Sequence, residues 1–71
     1  MATITSVLSL HTDGAAPVVS TSTREVADAD ATLRAEEMGS RLAGMHTRFT
    51  SDGNVLVITS DDFVLTHTRT A

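Results

Sequence analysis

The sequence predicts an α+β fold: an antiparallel sheet of four to five strands with one helix packed on one face. Three observations carry that reading. Both ends of the chain alternate apolar and polar residues with period two, the mark of half-buried strands. The middle, residues 28–44, instead repeats apolar residues at steps of three and four, the mark of one helix. Gly and Asp-Gly pairs punctuate the boundaries. The order is ββα-βββ, or ββαββ if residues 45–51 stay irregular. With 71 residues the chain, 1–71, makes a single compact domain. A chain of this size buries only about 60% of the surface its unfolded form exposes.

Residues 2–11 place Ile4, Leu8 and Leu10 on one side, with Ser6 between them, and Thr3, Thr5, Val7, Ser9 and His11 on the other. This is a strand with one wet face. Asp13-Gly14 turns the chain. Pro17 stands at the entry of the next strand, where its missing N–H does least harm. Residues 18–24, VVSTSTR, are β-branched but poor in large apolar groups, and so read as a polar edge strand in a hairpin with the first.

On the helix, Ala31, Ala35, Met38, Leu42 and Met45 form one stripe, which is expected to face the sheet, widened by Val26 and Leu33. Asp28 or Asp30 caps the first turn. Gly44 is the residue suited to stop the helix in a left-handed conformation. Residues 45–51, MHTRFTS, alternate again, and Asp52-Gly53 is the strongest hairpin signal in the chain. Residues 54–60, NVLVITS, are nearly continuous in apolar β-formers, as in a central strand. After Asp61-Asp62, residues 63–70 alternate Phe63, Leu65, His67 and Arg69 with Val64, Thr66, Thr68 and Thr70. The apolar content of this last strand fades, so its Thr-rich tail is expected to run past the core and form a second candidate sheet edge. The last three strands form a meander. The expected core is Ile4, Leu8, Leu10, Val19, Leu33, Met38, Leu42, Phe49, Leu56, Ile58 and Leu65.

Composition narrows the function classes. There is no cysteine, hence no disulfide, no thiolate nucleophile and no Cys-ligated zinc. No apolar run reaches the roughly 18 residues of a membrane helix, so no membrane is expected. The N-terminus lacks the basic and apolar regions of a secretory signal, and a cytoplasmic location is the expectation. Net charge −4, no lysine and two aromatic residues disfavour direct nucleic-acid binding. A basic strip of Arg24, Arg48 and Arg69 across the sheet is the one arrangement that would reopen it.

Chemistry-bearing residues are sparse. His11, His46 and His67 lack metal-ligand spacing and read as solvated strand-end residues. No serine lies in a nucleophile-elbow pattern. The expectation is therefore no enzyme, no metal and no cofactor. The most concentrated charge is acidic: Glu25, Asp28, Asp30, Glu36 and Glu37 gather around the helix start. In structural terms they cap and solvate the helix. In functional terms they form an acidic patch that docks on an Arg/Lys-rich surface of a protein or ribonucleoprotein partner. Unpaired sheet edges offer a second route, a homodimer formed by edge-strand pairing.

The opening hairpin around Asp13-Gly14, the helix with Met38 and Leu42, and the closing pair NVLVITS–DDFVLTH give a layout that resembles the small anti-CRISPR proteins that inhibit type I surveillance complexes. The likeness is one of architecture. It implies a phage or mobile-element inhibitor that sterically blocks a host defence complex by stoichiometric binding, without catalysis or cofactor. The competing expectation is a small phage virion or self-assembling structural protein, its Thr-rich edges pairing between copies. A minimal metal-dependent enzyme would need His11, His46 or His67 to bind metal.

Overall fold

The computed structural model describes residues 1–70. It consists of β1 (Ala2–Leu10), β2 (Val18–Val26), α1 (Ala29–Leu42), β3 (His46–Phe49), β4 (Val55–Thr59) and β5 (Phe63–Thr70). The five strands form one antiparallel sheet in the order β2-β1-β5-β4-β3, and α1 packs on one face against β3, β4 and β1. This is the expected α+β fold in its five-stranded form. Residues 46–49 are a strand, and the last three strands form the meander.

Local chemistry sets the element ends. The Asp28 side chain accepts a hydrogen bond from the Ala31 backbone N–H at 3.1 Å, which satisfies one of the free donors of the first helical turn. At the other end Gly44 adopts φ 85°, and the Met45 N–H returns to the Ser40 carbonyl at 2.9 Å. Between β3 and β4, Gly53 at φ 73° lets the chain reverse. Asp52 fixes that turn, accepting from the Thr50 hydroxyl at 2.6 Å and from the Asn54 N–H at 2.9 Å.

The core lies between α1 and the middle of the sheet. Ile4, Ala29, Leu33, Leu56 and Ile58 are buried, with Ala2, Val26, Met45, Phe49 and Leu65 packed around them. Pairing shows which residues share the helix-facing side. Ser6 and Leu56 both lie opposite His67, and Ile4 lies between Arg24 and Arg69. The other side carries Thr3, Thr5, Val7, Thr21, Thr23, Thr66 and Thr68, and no element covers it among the described residues. Antiparallel sheets tolerate one solvated face, and Thr suits it.

Four expectations are corrected. The closing strand is not an edge, because β1 pairs with β5 from Thr3↔Thr70 to Leu10↔Phe63 and makes β5 central. The edges are β2, as expected, and the short β3. Arg24 and Arg69 lie on the helix side beside Ile4, while Arg48 pairs with Val57 on the other face, so no single basic strip exists. Leu10 and Val19, both expected in the core, are exposed: Leu10 lies at the hairpin end of β1, and Val19 pairs with Ser9 on the face of the sheet away from α1.

The fourth correction concerns the helix. Leu33 is 1% exposed, whereas Met38 and Leu42 are 60% and 82% exposed. Ala31 and Ala35 are exposed with them. The expected apolar stripe thus faces outward, and the helix is seated on Ala29 and Leu33 with Glu36, Glu37 and Ser40 half-buried. The reason lies in the sheet. Its helix-facing side is not uniformly apolar, since Arg24 and Arg69 project from it. The side of α1 that carries Asp30 and Glu36 therefore suits it. In the observed orientation Arg69 pairs with Asp30, and Arg24 pairs with Glu36 at 3.5 Å.

Candidate functional site

The five acidic residues do not converge. Glu25 follows Arg24 on β2 and so lies on the far face of the sheet from α1. Asp28 is the helix cap. Asp30 and Glu36 are held in ion pairs with Arg69 and Arg24, and each pair remains partly solvated. Glu37 is half-buried on the helix. Four of the five belong to the helix and its cap, and two of those four already have their charge matched within the chain.

The histidines are also separated. His46 is exposed and pairs with Thr59 on the far face. His11 is exposed, and its backbone N–H donates to the Asp62 carbonyl at 2.7 Å. His67, expected to be solvated, is instead 5% exposed on the helix-facing side. The central position of β5 is what buries it. Ser6 Oγ and His67 Nδ1 are hydrogen-bonded at 2.6 Å, while His67 Nε2 is buried without a partner. Burial pushes the imidazole below its usual pKa; nearby Glu36 opposes that and Arg24 adds to it. The Ser6–His67 pair therefore holds a neutral ring inside the sheet. It lacks the arrangement of an activated nucleophile, in which the second ring nitrogen is oriented by a third group and the hydroxyl faces a substrate pocket. Asp52 is shifted in the same direction for a different reason. The bonds from Thr50 and Asn54 keep its carboxyl below the usual value, consistent with a turn-fixing role.

Concavity is slight. A depression of 160 Å³ is lined by Asp30, Leu33, Arg34, Phe49 and Gly53. Ligand pockets for small molecules run from about 300 Å³ upward. Among the described residues no three His, Asp or Glu side chains gather to hold a metal, and no helix is long and apolar enough to cross a membrane.

What stands out is a surface. Ala31, Ala35, Met38 and Leu42 run along the outer side of α1, with Arg34 and Arg41 exposed beside them. Met38 and Leu42 are one turn apart, and the alanines beside them leave a low, apolar face. The sequence reading grouped the apolar ones in one stripe and assigned Met38 and Leu42 to the core. The signal that would have corrected it was present in Leu33, which lies on the opposite side of the helix from Leu42. His67 was legible too, since it alternates in phase with Phe63 and Leu65.

Comparison with known proteins finds no family model, no curated protein and no solved structure that matches this chain. Its function is therefore read from its own surface and interior.

Proposed function

We propose that this protein is a non-catalytic protein-binding module that presents the outer face of α1 to an apolar groove of a larger protein or ribonucleoprotein. The observation that carries the reading is the orientation of the helix: its largest apolar side chains outside the core, Met38 and Leu42, are the ones turned to solvent. An amphipathic helix laid into a groove through anchors at i and i+4 is a common recognition mode. The acidic residues of the helix start, Asp28 and Asp30, and Glu37 provide a polar rim. Arg34 and Arg41 add charge of the other sign, which fixes orientation more than affinity. Glu25, on the far face of the sheet, has no part in this surface. Steric inhibition of a host defence complex is the form of binding to which the architectural resemblance points. It asks nothing of the chain beyond a stable, exposed helix.

The test compares the wild-type chain with the Met38→Asp, Leu42→Asp double variant as baits against candidate assemblies, with circular dichroism confirming that both are folded. Recovery of a stoichiometric partner by the wild type and its loss in the variant are expected. A partner retained equally by both, or none recovered by the wild type, would overturn the reading.

A further inference from the structure

We infer that β2 is a self-association edge and that two copies of this chain pair through it, antiparallel, to make one continuous ten-stranded sheet. The inference is independent of what the helix recognises.

The two edges of the sheet are unequal. β3 has four residues, and one of them is Arg48. Short length and charge are how folded proteins protect an edge. β2 has nine residues, of which all but Val26 are exposed. It contains no proline, pairs with β1 without a bulge from Val18 to Val26, and carries no charge before Arg24. Its outer row of backbone donors and acceptors has no partner strand. None of the usual protective devices acts over its first six residues.

The strand is also complementary to itself. An antiparallel pair centred on Ser22 engages all nine residues of both copies. It sets Val18 against the partner copy's Val26, Thr21 against its Thr23, and Ser20 against its Arg24. Val–Val and Thr–Thr pairs across strands are favourable, and no like charges face each other. Sliding the centre to Arg24 would oppose the two guanidinium groups and shorten the pairing. A different protein would have to supply such a strand. A second copy already has it.

Symmetry fixes the consequence. Two antiparallel edge strands related by a two-fold must have that axis perpendicular to the sheet, because an axis along the strands would make them parallel. The interface is isologous and closed, so β2 is consumed in a dimer and only the short β3 edges remain. Both α1 helices then lie on the same face of the joined sheet.

Static light scattering after size exclusion, on the full chain through a dilution series, tests this. The expected mass is twice that of the 7.5 kDa chain. Thr21→Lys with Thr23→Lys sets like charges opposite each other across the two-fold. It should give a monomer with an unchanged circular dichroism spectrum. Thr21→Glu with Thr23→Glu should do the same, and an equimolar mixture of the two variants should recover the dimer mass. Either of two wild-type results would overturn the inference: a monomer at every soluble concentration, or open polymers. So would a dimer that survives the lysine pair, or a mixture that stays monomeric although each variant is folded. Met38→Asp with Leu42→Asp leaves this dimer intact; its loss in that variant would move the interface to α1 and overturn the assignment to β2.

Discussion

Leu33 and Leu42 stand on opposite sides of α1 and have opposite fates. Leu33 is 1% exposed and closes the core over Ile4, Leu56 and Ile58. Leu42 is 82% exposed and meets solvent. The residues are chemically identical and share one helix, so neither hydrophobicity nor propensity separates them. The difference is what the sheet offers beneath each face. Below Leu33 are apolar side chains and, beside them, the Arg24 and Arg69 groups that Glu36 and Asp30 satisfy. Beside Leu42 nothing in the chain competes with that arrangement. Leu33 and Ala29 fit the apolar middle of the sheet, and the two partly solvated ion pairs, each of modest worth, accompany that seating.

Unequal truncation costs are the sharpest way to break this comparison. Leu33→Ala should lower unfolding free energy by about 3 kcal/mol, the transfer and cavity cost of a fully buried leucine. Leu42→Ala should change it by less than about 0.5 kcal/mol. Denaturant titration of both variants measures the contrast; equal losses would refute it, and a larger loss at Leu42 would mean that the helix is seated the other way round. Asp28→Ala should cost about 1 kcal/mol, because one N-terminal donor of the helix loses its acceptor.

His67 gives an effect confined to one pH window. Its folded pKa lies below the unfolded value of 6.5, so the unfolded chain takes up a proton first as the medium is acidified. Stability should be flat above that value and fall as pH drops below it toward the folded pKa. His67→Gln keeps a hydrogen-bonding group near Ser6 but does not titrate, and should flatten that part of the curve. A wild-type profile that rises with acidification would reverse the sign and exclude the neutral buried ring. Arg24→Ala should have the smallest effect of the paired groups, under about 1 kcal/mol and reduced by salt. Its partner Glu36 is 3.5 Å away, and both side chains are substantially solvated. Arg69 is the better covered of the two arginines, at 32% exposed, and Arg69→Ala should cost more than Arg24→Ala in the same titration.

The readable part of the fold was local. Alternation from Thr3 to Ser9 and from Phe63 to Arg69, the cap at Asp28, the stop at Gly44 and the turn at Asp52-Gly53 each concern neighbours within a few residues, and each held. The unreadable part involved residues far apart in sequence. Fading apolarity toward Thr70 suggested an edge, because a strand with polar residues usually has a wet side. Pairing with β1 makes β5 central while its Thr66 and Thr68 still face the open side. The same pairing carries His67 into the interior beside Ser6. Of the candidate site, the acidic residues were identifiable, but their division between ion pairs, a cap and the far face of the sheet was not.

By itself, then, the sequence determined the kinds and order of the elements, because period, capping and turn chemistry act over a few bonds. Only tertiary structure decided strand order, the buried histidine and the outward helix stripe. Each of these depends on which distant surface an element meets. An amphipathic period says that a helix has two sides; the charge and shape of the sheet decide which one is hidden.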